Sequence, residues 1–167
     1  MTTSVAAASL RDKLEQRLRE LDEALAGMDE AKAGQRPAEG EWCCKEVLSH
    51  LMGDEGEGYV PGLRRFIDED TPLIGVMVGL PYYSPARQAM SLAEMRSGVR
   101  RRYQEVGGFL GGMGDEQLAR KGRVPLLRET PIGEYPTLAQ WVGALLDFHL
   151  PDHINQIRGA RQQPRAQ

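Results

Sequence analysis

Three histidines occur in the 167 residues, His50, His149 and His153, and their spacing is the most informative feature of the chain. His149 and His153 are four apart in a segment with helical periodicity, and His50 lies far upstream in another. A helix turns every 3.6 residues, so an i, i+4 pair projects from one face. Two neutral imidazoles on that face and a third from a facing helix supply three nitrogen ligands and leave a coordination position open, as in catalytic zinc sites. Imidazole donors suit zinc, nickel, copper or iron and disfavour magnesium and calcium. The competing reading is a set of interior histidines satisfied by ordinary hydrogen bonds. Unpaired, each buried ring costs about 1–3 kcal/mol, and a shared ion removes that cost by taking the lone pairs.

The neighbouring residues narrow the chemistry. The segment reads His149-Leu150-Pro151-Asp152-His153, so the glutamate of the His-Glu-x-x-His protease motif is missing. No Glu-x-x-His pair accompanies the histidines, which argues against a ferritin-like di-iron site. Asp54, one turn after His50, and Asp152, beside His153, are candidates to orient a ligand imidazole. Solvated carboxylates are the plainer reading of both. Gln156, one turn past His153, faces the metal or caps the core as a buried amide. Cys43 lies two turns before His50 on the same side of its helix, where a nucleophile or ligand would sit; a buried inert thiol is the commoner case. Trp42 and Trp141 read as core anchors at helix starts. Tyr82 and Tyr83 are candidate hydroxyl donors in a connection, from Leu73 to Tyr83, that is apolar enough to wall a pocket.

Four helical segments must position these groups. Leu10, Leu14, Leu18, Leu21, Leu25 and Met28 recur at spacings of three and four, which predicts an amphipathic helix capped by Ser9 and ending near Gly27. A second helix is expected from about Trp42, with Cys43, Val47, Leu48 and Leu51 as its apolar stripe and His50 at the stripe's edge. Some helix resumes from Leu63 to Ile67. Ser91-Leu92-Ala93-Glu94 is a capping box that opens a third helix, running to Leu110. Thr137-Leu138-Ala139-Gln140 opens a fourth. There Trp141, Val142, Leu145, Leu146 and Phe148 set the buried face, Asp147 points away, and Pro151 kinks the helix between the histidines. Val124 to Leu127 is a candidate short extended piece, without evidence of a sheet. The fold class predicted is all-α, a four-helix bundle with long connections between helices 2 and 3 and between helices 3 and 4.

Length, 41% hydrophobic and 27% charged residues fit one globular domain over residues 1–160, with a polar tail at 161–167 that frays. A net charge of -3 offers no basic excess for a phosphate backbone, so nucleic acid is not an expected partner. Arg100, Arg101 and Arg102 read as a solvated helix face. No apolar run approaches a membrane span, and the first residues lack the pattern of a secretory signal. A cytoplasmic location is expected. The adjacent Cys43 and Cys44 are expected to be reduced, because a disulfide between neighbours strains the chain.

Trp42 opening a helix, His50-Leu51 eight residues later, and a last helix carrying His149-x-x-x-His153 followed by Gln156-Ile157 resemble the DinB/YfiT-like superfamily over nearly the whole chain. The resemblance implies a four-helix bundle, often homodimeric, with a divalent metal such as nickel or zinc on His50, His149 and His153. It also implies a transferase that joins a low-molecular-weight thiol, of the bacillithiol or mycothiol type, to a small electrophile in detoxification. Metal-dependent hydrolysis and a non-enzymatic metal- or ligand-binding module are the alternatives. Pro151 between two of the ligand positions is a departure from the family's pattern that bears on their separation.

Overall fold

The computed structural model describes residues 4–162. Helix α1 (Val5–Leu25) carries the leucine stripe, and Leu14, Leu18, Leu21 and Leu25 are buried. Its cap is Ser4 rather than Ser9: the Ser4 hydroxyl accepts hydrogen bonds from the Ala6 and Ala7 amides. Three alanines follow Val5, and their high helix propensity extends the helix back to that earlier hydroxyl. A short turn, α2 (Glu30–Ala33), precedes α3 (Cys44–Leu51). There Glu46 reaches back to the Cys43 amide at 2.8 Å and closes the N-terminus. Helix α4 (Val60–Asp68) begins earlier than Leu63, with Pro61 in its first turn, where a missing N–H costs nothing.

After the turn α5 (Pro85–Gln88), helix α6 (Leu92–Leu110) starts at the predicted box, with Ser91 and Glu94 exchanging hydrogen bonds. A short α7 (Asp115–Leu118) and a 3-10 turn (Pro125–Leu127) lead to α8 (Leu138–Ala144), capped by Thr137 and Gln140. A π-helical turn (Leu145–His149) joins α8 to α9 (Leu150–Gln162). Positions 161–162 therefore complete α9 rather than fray, and 163–167 of the predicted tail lie outside the described residues.

Helices α1 and α3 each pack against both α6 and α9, which gives the four-helix arrangement. Leu18, Leu48, Leu51, Val99, Leu150 and Ile154 meet in its core. Each such side chain contributes about 1.5–3 kcal/mol by leaving water. The two long connections are tied to each other by backbone: the Ile74 amide donates to the Arg123 carbonyl and the Arg123 amide to the Pro72 carbonyl, both at 2.8 Å. That tie makes the isolated bridge of Leu73 with Arg123; a second, Lys121 with Thr137, closes the later connection on itself, and no strand forms among the described residues. The candidate extended piece from Val124 to Leu127 is instead the 3-10 turn with Val124 at its start, and the bridging Lys121 and Arg123 lie just before it. Among the described residues, no helix is long and apolar enough to cross a membrane.

Two expectations about side chains change. Phe148 is 61% exposed rather than buried, because it stands in the π turn, where the i→i+5 bond adds a residue to the turn and rotates it out of the α-helical register. The arginine run is not uniformly solvated: Arg100 pairs with Asp22 at 2.7 Å, and Arg102 lies half-buried against Gly56 and Gly58.

Candidate metal centre

His50 sits in the last turn of α3, His149 ends the π turn, and His153 is in the first turn of α9. The ring centroids stand 4.6 Å (His50–His153), 4.8 Å (His149–His153) and 5.1 Å (His50–His149) apart. One ring nitrogen from each lies within 4.8 Å of the others. Around a zinc-like ion with bonds of about 2.0–2.1 Å, tetrahedral nitrogens stand roughly 3.3 Å apart. The His50 and His149 Nε2 atoms, 2.9 Å apart, are close to that spacing, and the whole set is gathered within 4.8 Å.

Hydrogen bonding orients the donors. His50 Nδ1 lies 2.7 Å from the Leu80 carbonyl. A carbonyl only accepts, so Nδ1 carries the hydrogen and the Nε2 lone pair faces the cluster. His153 Nδ1 donates to Gln156 Oε1 at 2.9 Å, with the same consequence. His149 Nε2 stands 2.9 Å from His50 Nε2, while its buried Nδ1 has no hydrogen-bond partner. The two Nε2 atoms face each other at a distance that a shared cation would suit, with the His149 hydrogen then carried on Nδ1. Burial, then the neighbouring His153 and His50, pull His149 down to about 3. Burial is also the main cause that lowers His153. Both rings are neutral at pH 7, the form that binds metal.

Pro151 explains the π turn. It has no N–H to donate, and its ring collides with the carbonyl one turn back. The Leu150 amide instead bonds to the Leu145 carbonyl, five residues back. The Leu146 carbonyl, whose counterpart in that register is the absent Pro151 N–H, accepts from Arg17 Nε of α1 at 2.8 Å. Lys13 holds the Asp147 carboxylate at 2.8 Å from the same helix. The predicted kink is thus a change of helical register, clamped from α1.

A second clamp fixes the connection that supplies the Leu80 carbonyl. Arg87 is 4% exposed. Its guanidinium donates to the carbonyls of Ser49 (2.8 Å), Gly53 (2.6 Å) and Asp54 (3.0 Å), which ties the end of α3 to α5. Tyr82 takes a left-handed backbone, φ 51°, costly for a non-glycine residue and frequent at functional sites. Its carbonyl accepts from Ser49 Oγ at 2.9 Å, and its ring stacks on His50 at 6.5 Å.

The structure sorts the other candidates. Asp54 does not orient a histidine: α3 stops at Leu51, Gly53 turns the chain at φ 73°, and Asp54 Oδ1 accepts from the Gly56 and Glu57 amides. Asp152 is exposed and backs no imidazole; Gln156 has that place. Cys43 and Cys44 are buried, and burial raises both thiols, Cys44 to about 12. Neither lines a cavity beside the histidines. Trp42 is more than a core anchor: its ring is tilted on His50 at 5.2 Å and stacked with His153 at 6.2 Å. Sequence reasoning missed Arg17, Leu80 and Arg87. Pro151 was the one available signal for the first, as a carbonyl in need of a donor; nothing in the pattern marked the other two.

Two openings reach the cluster. A cavity of about 660 Å³ has His50, His149 and Asp152 in its lining, together with Tyr82, Trp141 and the connection from Ile74 to Val78. A separate cleft of about 530 Å³ is lined by Glu41, Trp42, His153 and Gln156.

The sequence profile of the DinB superfamily matches residues 13–157. No curated protein matches the chain. Among solved structures, YfiT from Bacillus subtilis, described as a probable metal-dependent hydrolase with an unusual four-helix bundle topology, is similar with a TM-score of 0.73. Its identity to this chain is 18%, over 93% of this chain and 86% of that one.

Proposed function

The chain belongs to the DinB superfamily, and on that premise we propose that it is a metal-dependent enzyme joining a low-molecular-weight thiol to a small electrophile. His50, His149 and His153 are the ligands of one divalent ion, nickel or zinc, in this reading. The observation that carries it is that two separate openings are lined by different members of the cluster, a cavity by His50 and His149 and a cleft by His153. Two organic reactants need two approaches to one centre.

When bound, the ion lowers the pKa of a coordinated thiol and makes its thiolate available near neutral pH. The chain's own residues do the rest. Leu80 and Gln156 hold the His50 and His153 hydrogens on Nδ1, so both Nε2 atoms stay free as donors. Tyr82 and Trp42 flank His50 and restrict its rotation. Apolar walls keep water from the electrophile's side. In the net reaction the thiol sulfur bonds to the electrophilic carbon, the leaving group departs with its electron pair, and the thiol proton passes to solvent. A cytoplasmic location, a homodimeric assembly and a single domain over residues 1–160 belong to the same reading.

A hydrolytic reading draws on YfiT, described as a probable metal-dependent hydrolase, and on Asp152, a carboxylate in the cavity lining available as a base. Two measurements test the proposal. Elemental analysis is expected to find about one ion per chain in the wild type and a large loss in His50→Ala. Metal-loaded protein is expected to conjugate electrophiles only when a thiol is added. Equal metal content in both proteins defeats the site, and turnover of esters or amides without thiol moves the chemistry to hydrolysis.

A further inference from the structure

The cavity at His50 and His149 is chemically one-sided. Leu63, Ile74, Trp141 and Leu145 form its walls, and its volume of about 660 Å³ suits a drug-sized molecule. Among the described residues, no lysine or arginine lines it, and its two charged residues are the carboxylates Asp54 and Asp152. Several of its polar groups are already committed. Tyr59 donates to the Leu51 carbonyl at 2.8 Å, Thr130 to the Leu127 carbonyl at 2.7 Å, and Asp54 accepts from its own loop. At the mouth, Met77 is 69% and Phe148 61% exposed. Unburied apolar side chains gathered at the rim of a concavity mark a surface that a ligand covers.

Resting on the proposed chemistry at the three histidines, we infer that the electrophile entering this cavity is an uncharged, largely apolar molecule, gripped by Met77, Phe148 and the aliphatic walls. Recognition is by shape and apolar area. In the metal-free chain an anionic ligand would lose its water against two carboxylates with no lysine or arginine to receive it, which carries a heavy desolvation penalty; in the proposed enzyme the one positive charge, the ion at the histidines, is already taken by the thiolate. A cleft for acidic metabolites or phosphate esters would carry the opposite lining. Trp141 in the wall supplies a built-in reporter.

The test uses two dyes that differ by one sulfonate, N-phenyl-1-naphthylamine and 8-anilinonaphthalene-1-sulfonate, titrated into the full chain with and without metal. The neutral dye is expected to bind at one site, at least about tenfold more tightly than the sulfonate, a difference worth about 1.4 kcal/mol. Energy transfer from tryptophan is expected to weaken in Trp141→Phe. Met77→Lys puts a cation on an exposed position with little risk to folding, and is expected to narrow the preference by strengthening sulfonate binding. Equal or tighter binding of the sulfonate by the wild type overturns the inference. So does neutral-dye binding that Met77→Lys and Trp141→Phe leave unchanged, or sedimentation as a dimer that excludes the dye until dilution. Binding is read without turnover, so this inference and the enzymatic reading fail separately: loss of the dye preference leaves the metal and conjugation results standing, and an inactive protein can still show it.

Discussion

The Arg17 guanidinium of α1 donates from Nε to the Leu146 carbonyl at 2.8 Å, in the turn before His149. This bond stands where Pro151 has removed a backbone donor, so a side chain on another helix completes the π turn that sets the angle between two candidate ligands. Arg17→Met is expected to cost about 1.5–3 kcal/mol, the range for a hydrogen bond to a charged group. In a Pro151→Ala background, where residue 151 regains its N–H, the same change is expected to cost less. Urea unfolding of the four proteins of this cycle measures the coupling. Additive losses would mean that Arg17 and Pro151 do not act on the same carbonyl.

Gln156 is the acceptor that fixes His153 with its hydrogen on Nδ1. Gln156→Leu is expected to weaken metal binding roughly 10–100-fold while the fold persists. Gln156→Glu retains an acceptor oxygen and is expected to recover most of that affinity. Competition with a chromophoric chelator measures both.

Two glycines test the packing, Gly122 in a connection and Gly98 within α6. A Cβ at Gly122 stands 2.7 Å from Cε1 and 2.8 Å from Cζ of the fully buried Phe66 ring. Gly122→Ala is expected to destabilise the protein by about 1–3 kcal/mol. At Gly98 the nearest atom is the Met52 methyl, at 2.6 Å, which a flexible side chain can move. Gly98→Ala also gains helix propensity, so its net cost is expected to stay below about 1 kcal/mol. Thermal melts of the two variants rank them.

Glu134 pins the connection that walls the cavity. Hydrogen bonds from Arg128, then Arg123, pull its carboxyl from an ordinary 4.5 to about 2. Between those values the folded chain binds fewer protons than the unfolded one, so this group's contribution is whole above 4.5 and is lost as pH falls toward 2. Glu134→Gln is expected to flatten that part of the profile. Denaturation midpoints at about pH 5.5 and about pH 3 give the slope; an identical slope in both proteins would assign the acid sensitivity elsewhere.

The sequence alone determined the helices and the donors. Leucine spacing and the boxes at Ser91 and Thr137 encode α1, α6 and α8 locally, because propensity and capping act within one turn. Three histidines in a chain with no others marked the candidate ligands at once. What orients those donors is non-local. Leu80 reaches His50 only because Arg87 gathers three carbonyls from another segment. Asp54, one turn from His50 on an extended helical wheel, is lost to its own loop once Gly53 ends the helix. Phe148 turns outward because Pro151 forces a π register that Arg17 completes from across the bundle. Backbone carbonyls carry no residue-specific signal, and the register of a helix around a proline depends on which neighbour satisfies the carbonyl left over. Only the packed tertiary structure supplies that neighbour.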